Sequence, residues 1–72
     1  MSLRLYGRRQ CHLCEEMAGA LRARGVAFEE VDIDGSAELK ERYGRFVPVL
    51  TDAEGKELCR TRLDPAVLQQ IP

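Results

Sequence analysis

The fold is decided by residues 10–17, QCHLCEEM, in which a cysteine pair opens an amphipathic helix. Residues 3–6 alternate apolar and polar side chains as a strand does, and Gly7 closes that strand. After the cysteine pair, apolar side chains recur at helical spacing at Leu13, Met17, Ala20 and Leu21, which predicts a helix. Gly25 predicts the end of this helix. Two cysteines with this spacing, between a strand and a helix, are typical of a redox motif.

The rest of the chain predicts three more strands and two more helices. The strands are placed at residues 26–33, 47–51 and 56–60. The first of these is acidic, and we expect it at an edge of the sheet. Ser36 caps a helix over residues 36–43, and Asp64 followed by a proline starts the last helix. The order β-α-β-α-β-β-α predicts an α/β fold whose first two strands are parallel and whose last two form an antiparallel hairpin.

Composition narrows the class of protein. The chain is 44% hydrophobic and 32% charged, a proportion of apolar to charged residues that is typical of a globular protein. Because it has only 72 residues, we expect one domain over residues 1–72. A net charge of −1 argues against nucleic acid as the main partner. No apolar stretch is long enough for a membrane span, and the first residues lack the pattern of a signal peptide. The odd count of three cysteines fits a reducing compartment, so we expect a cytoplasmic protein.

The cysteine pair has the surroundings of a reactive thiol. Cys11 is expected at or just before the helix N-terminus, where free backbone N–H groups and the helix dipole stabilise a thiolate. Arg8, Arg9 and His12 add positive potential of the same sense. Cys14 lies one turn into the helix, where it can reach Cys11 but is more shielded. This asymmetry predicts Cys11 as the attacking thiolate and Cys14 as the resolving thiol.

Two segments carry a resemblance to a known family. Residues 6–14, YGRRQCHLC, and residues 43–50, YGRFVPVL, resemble the glutaredoxin-like branch of the thioredoxin superfamily. They are similar in particular to short bacterial glutaredoxin-like proteins with a Cys-His-Leu-Cys signature. The resemblance covers nearly the whole chain in order and spacing. It implies a thioredoxin fold, with a four-stranded mixed sheet flanked by helices, and dithiol exchange through Cys11 and Cys14.

The resemblance also implies a substrate site beside the cysteine pair. Pro48 is implied to be cis and to face the cysteines, so that it presents the backbone of Val47 to an extended substrate strand. Arg8 matches a position at which glutaredoxins hold a basic residue for a glutathione carboxylate. The glycine pair that approaches glutathione in that family is replaced here by Cys59 and Arg60. The resemblance therefore supports dithiol redox chemistry more than specificity for glutathione.

Several residues keep alternative interpretations. His12 either tunes the thiolate or is an exposed loop histidine, and Arg8 either binds a substrate carboxylate or lies free on the surface. Cys59 is either a third redox thiol or a buried apolar cysteine. A structural zinc site needs a full tetrahedral ligand set, and beyond the pair the chain offers only Cys59 and His12 as cysteine and histidine ligands. We therefore predict no metal site.

The predicted reaction is thiol–disulfide exchange with a protein or low-molecular-weight disulfide. It needs no bound cofactor, and we expect glutathione or a thioredoxin-type protein to act as reductant. We also expect a monomer that binds neither nucleic acid nor membrane. Two other functions stay open. One is a non-catalytic binding module that keeps the thioredoxin fold, and the other is a metal or iron–sulfur carrier that combines Cys11 with external ligands.

Overall fold

The structure is a computed structural model that describes residues 3–71. Its strands are β1 (Leu3–Gly7), β2 (Phe28–Asp32), β3 (Val49–Thr51) and β4 (Glu57–Arg60). Its α-helices are α1 (His12–Ala23), α2 (Ala37–Tyr43) and α3 (Pro65–Gln70), and a 3-10 turn, Ile33–Gly35, joins β2 to α2. The predicted order β-α-β-α-β-β-α is confirmed. Over the described residues, no helix combines the length and the apolar character that crossing a membrane requires.

The four strands form one mixed sheet in the order β2-β1-β3-β4. β1 is parallel to β2 and antiparallel to β3, and β3 is antiparallel to β4, as predicted. The acidic strand β2 lies at an edge, where charged side chains discourage pairing with another chain. β2 begins at Phe28 rather than at residue 26, because the Val26 N–H turns back to the Leu21 carbonyl at 3.0 Å.

β3 begins at Val49, two residues later than the sequence predicts. The Val47–Pro48 peptide bond is cis, as the resemblance implies, and proline has no N–H to donate to a strand ladder. Pro48 can therefore pair only through its carbonyl, which accepts a 2.7 Å hydrogen bond from the Thr61 N–H just after β4. The loop through Val47 and Pro48 therefore lies just before the strand.

Helices cover both faces of the sheet. On one face, α1 and α3 pack against β1 and β3 around Leu5, Leu21, Leu50 and Val67. On the other face, α2 and the 3-10 turn pack a smaller cluster whose Tyr43 ring lies 4.7 Å from that of Tyr6, centroid to centroid. The prediction of a sheet flanked by helices is confirmed, and α1 is held against the centre of the sheet.

Helix α1 has the ends that the sequence predicts, but the face that it buries is rotated from the predicted one. Cys11 is the N-cap, and Gly25 follows the C-cap with a left-handed φ of 71°. Leu13, which the apolar spacing places on the buried side, is 37% exposed. The side chains that α1 buries are Cys14, Met17, Ala18 and Leu21. The first turn is oriented by the packing of Cys14 against the sheet, and this leaves Leu13 facing outward.

Candidate functional site

The two cysteines lie together at the N-terminus of α1. Their Cα atoms are 5.2 Å apart, and their sulfur atoms are joined as a disulfide. Cys11 is half-buried, has an extended backbone, and accepts a 3.2 Å hydrogen bond at Sγ from the Cys14 N–H. A sulfur at the N-cap faces the free backbone N–H groups and the positive end of the helix dipole, which favour a thiolate after reduction. Cys14 is only 8% exposed and is the more buried residue of the pair.

Gly7, the last residue of β1, makes the close packing of Cys14 possible. A Cβ atom placed on Gly7 would lie 3.2 Å from both the Cβ and the Sγ of Cys14, closer than ordinary van der Waals contact. The sequence marks Gly7 as the end of a strand and gives no sign of this contact. The contact depends on how α1 packs over β1, so only the tertiary structure places Gly7 in the site.

We expect Gly7→Ala to lower the free energy of unfolding of the oxidised protein by about 1–3 kcal/mol, because the added methyl overpacks the site beside Cys14. Gly19→Ala is the matched control, since a Cβ atom at this exposed position in α1 meets nothing within 4 Å. This control should gain about 0.5–1 kcal/mol from helix propensity. Urea denaturation without reductant measures both changes. Equal effects of the two substitutions would contradict the packing argument.

The loop before β3 lies beside the same end of β1. Tyr6 pairs with Val49, so the register continued by one residue sets Pro48 next to Gly7, which contacts Cys14. Pro48 is buried, and the carbonyls of Phe46 and Pro48 both accept from the Thr61 N–H, at 3.2 and 2.7 Å. Within residues 3–71 the N–H and C=O groups of Val47 make no backbone hydrogen bond. The structure thus brings Val47 and Pro48 to the cysteine end of the sheet, and their binding role stays a prediction.

Arg8 has a partner that the sequence analysis missed. Its Nη2 donates to Asp34 Oδ1 in the 3-10 turn at 2.7 Å, while Arg9 Nε lies 3.9 Å from Asp32 Oδ2. The hydrogen bond from Arg8 lowers the pKa of Asp34 below its ordinary value and correspondingly raises the pKa of Arg8. Both side chains remain partly exposed, so any other carboxylate would have to compete with Asp34 for Arg8, and the predicted binding role of Arg8 stays a prediction.

Comparisons with known proteins identify the family. A family model described as Glutaredoxin-like domain (DUF836) matches residues 2–71. The chain belongs to the glutaredoxin-like family. Among solved structures, it is 45% identical to the protein XcR50 from X. campestris, with a TM-score of 0.80 and coverage of 94% of this chain and 91% of that one. It is 42% identical to Ne2328 from Nitrosomonas europaea, with a TM-score of 0.83 and coverage of 96% and 87%.

More distant structures share the fold of this glutaredoxin-like chain. The glutaredoxin grx-1 from Archaeoglobus fulgidus is 23% identical, with a TM-score of 0.65 and coverage of 96% of this chain and 83% of that one. This level of identity supports the fold and carries no further argument. A comparison with curated proteins gives no match. The strand order and these similar structures together confirm the predicted thioredoxin-type α/β fold.

His12 and Cys59 of the glutaredoxin-like chain lie in contrasting surroundings. The His12 side chain is 88% exposed, with Nε2 3.9 Å from Glu16 Oε1, and its predicted effect on the thiolate stays a prediction. Cys59 is a free cysteine on β4 that lies opposite Leu50 and packs against the core under α1 and α3. Burial raises the pKa of the Cys59 thiol, which disfavours the thiolate. Its surroundings favour the packing role over that of a third redox thiol.

No metal-binding cluster is formed by the described part of the glutaredoxin-like chain. Across residues 3–71, no three side chains of histidine, cysteine, aspartate or glutamate come together as ligands. A metal carrier built on Cys11 would therefore need ligands from another molecule or from outside the described residues. The cysteine pair, Gly7 beneath it and the Val47–Pro48 loop beside it remain the candidate functional site.

Proposed function

We propose that this glutaredoxin-like domain is a cytoplasmic thiol–disulfide oxidoreductase that acts as a monomer. One observation carries the proposal: the Cys11 sulfur caps α1 while the shielded Cys14 lies within disulfide reach. A capping sulfur is poised to ionise, because the helix N-terminus stabilises its negative charge. A second thiol held one turn away converts the release of substrate into an intramolecular step.

The exchange begins from the reduced pair. The Cys11 thiolate attacks one sulfur of the substrate disulfide, and the first substrate thiolate leaves and takes up a proton. Cys14, after losing its proton, attacks the Cys11 sulfur, and the second substrate thiolate leaves. The Cys11–Cys14 bond replaces the substrate bond, and two electrons pass from the protein to the substrate. The geometry of the pair supports this last step, because the two Cα atoms are 5.2 Å apart and the sulfurs are within bonding reach of each other.

The surroundings of the pair supply groups that can orient a substrate. Within residues 3–71 the N–H and C=O groups of Val47 have no backbone partner, so they are available for two hydrogen bonds to an extended substrate backbone. Pro48 belongs to this loop, and Arg8 supplies a guanidinium for a carboxylate once Asp34 is displaced. Two thiols from glutathione or from a thioredoxin-type protein then reduce the Cys11–Cys14 bond and regenerate the enzyme. The chemistry resides in the thiols, so the proposal requires no bound cofactor.

The experiment that tests this function is an equilibrium titration of the pair in glutathione redox buffers. A Cys59→Ser background leaves only the pair to be counted, and alkylation followed by mass measurement gives the oxidised fraction. We expect a reduction potential of about −200 to −280 mV, close to the cytosolic glutathione pool. The reduced protein should also convert bis(2-hydroxyethyl) disulfide to two thiols as its own pair oxidises. Failure of Cys11 and Cys14 to form an internal bond would contradict the proposal.

A further inference from the structure

Two arginines follow β1 directly, and each of them has an acidic partner. Arg8 Nη2 donates to Asp34 Oδ1 at 2.7 Å, and Arg9 Nε lies 3.9 Å from Asp32 Oδ2. From the sequence, both arginines are expected to add positive potential beside Cys11. In the fold, a carboxylate at the end of β2 and another in the 3-10 turn offset this charge.

The groove beside Cys14 shows the same balance of charge. It has a volume of about 470 Å³ and is lined by residues of α1, β1 and β2, with Cys14 and Gly7 in its wall. Arginines and carboxylates occur in equal number among its lining residues, which include Arg8, Arg9, Arg22, Glu15, Glu30 and Asp32. An anionic substrate that approaches the cysteine pair along this groove therefore meets no net positive charge. Its attraction depends on whether one of the arginines is free.

Asp34 is the direct partner of Arg8, because Asp32 is engaged elsewhere. The Asp32 Oδ1 atom accepts a 2.9 Å hydrogen bond from the Asp34 N–H at the start of the 3-10 turn, and its Oδ2 atom lies near Arg9. Within residues 3–71 the Asp34 carboxylate makes no hydrogen bond or ion pair except that with Arg8. The Arg8 guanidinium, with smaller contributions from Lys40 and Arg9, lowers the pKa of Asp34, so this carboxylate is ionised at neutral pH.

The Arg8–Asp34 pair is partly exposed, and this decides what it can do. The Arg8 side chain is 37% exposed and the Asp34 side chain is 44% exposed. An ion pair with this exposure contributes little to the stability of the fold. Its guanidinium is within reach of solvent, where a free arginine binds carboxylates through charge-assisted hydrogen bonds. Because the chain holds Asp34 beside Arg8, Asp34 competes at a high effective concentration against a carboxylate from solution.

We propose that Asp34 sets substrate specificity by holding Arg8 in this internal pair, so that the domain gains no preference for disulfides that carry a carboxylate. This proposal rests on the proposed function, because specificity exists only if the cysteine pair exchanges with a disulfide. Neutral and anionic disulfides of equal size are then reduced at similar rates. Asp34 acts through Arg8 and takes no part in the exchange of bonds, so it is a positioning residue.

The test compares how fast the pre-reduced protein reduces two peptide disulfides that differ in one group. Both are built from the acetylated tripeptide Gly-Cys-Gly, with a free C-terminal carboxylate in one and a C-terminal amide in the other. Each single-turnover rate is divided by the rate with dithiothreitol, which corrects for the intrinsic reactivity of the two disulfides. Salt at about 0.15 M screens charges that are not in contact. We expect a carboxylate-to-amide ratio within about twofold of one for the wild type.

Three variants locate the effect on the ion pair. Asp34→Asn should raise the ratio about threefold, because it keeps the shape of the side chain and frees Arg8 for the substrate carboxylate. In an Arg8→Gln background, the same substitution should give only a small part of this rise, because no guanidinium is freed. Glu54→Gln is the matched control. It removes one negative charge from the exposed turn between β3 and β4, at the other end of the sheet, and should leave the ratio unchanged.

The outcomes separate this proposal from the function that it rests on. Far-UV circular dichroism first verifies that each variant is folded. A wild-type ratio of about three or more, or a ratio that Asp34→Asn leaves at the wild-type value, overturns the specificity proposal while exchange itself continues. An equal rise in the Arg8→Gln background or with Glu54→Gln overturns it too, because the charge then acts without the pair. Failure of the wild type to reduce either disulfide refutes the proposed function, and the specificity proposal falls with it.

Discussion

Cys14→Ser should trap substrate covalently on Cys11, with turnover of a protein disulfide reduced by about two orders of magnitude or more. Cys11 remains at the helix cap and still attacks, so the mixed disulfide forms as in the wild type. Its resolution then depends on an external thiol, which lacks the effective concentration of a thiol held one turn away. The trapped species is therefore the expected product, and not an inactive free protein.

Non-reducing electrophoresis and intact mass measurement detect this adduct, and dithiothreitol should release it. The matched control is Cys11→Ser, which keeps Cys14 at its 8% exposure and should form almost no adduct. Both variants are made with Cys59→Ser, so that no other thiol of the chain takes part. Turnover of Cys14→Ser at the wild-type rate would show that Cys11 works as a single thiol. Efficient trapping by Cys11→Ser would show that the roles of the two cysteines are reversed.

Leu21→Ala should remove about half of the free energy of unfolding of the domain. Leu21 is fully buried where α1 contacts β1 and β3, and truncation of such a leucine costs about 2–5 kcal/mol through lost burial and a residual cavity. At the typical stability per residue, a chain of 72 residues has a free energy of unfolding of only about 4–11 kcal/mol. The variant should therefore unfold at a much lower urea concentration than the wild type.

This stability is tied to the site, because α1 carries both cysteines. Once α1 is loosened from the sheet, the contact between Cys14 and Gly7 weakens and the Cys14 sulfur becomes accessible. Urea denaturation followed by circular dichroism measures the loss, and alkylation of the reduced protein measures the access to Cys14. Gly19→Ala, two residues earlier on the exposed side of the same helix, is the control and should be slightly stabilising. A loss below about 1 kcal/mol for Leu21→Ala would contradict this account of the core.

Much of the candidate site is predictable because its signals are local. The N-cap position of Cys11 and the end of α1 at Gly25 follow from neighbouring residues that set helix ends by their own backbone and capping preferences. The resemblance implies a cis bond before Pro48, and the structure has it. The binding roles of Arg8 and Val47 stay predictions, since they concern a molecule that the chain alone does not contain.

The sequence by itself determined the order of strands and helices, the caps of the helices and the place of the cysteine pair at the start of α1. These features depend on periodicity and capping within a few neighbouring residues. Only the tertiary structure decided that Gly7 lies beneath Cys14, that Arg8 pairs with Asp34, and that Leu13 faces outward. Each of these depends on how α1 and the sheet pack, or on residues 26 positions apart. Contacts of that kind leave no periodic signal, because packing selects them after the elements have formed.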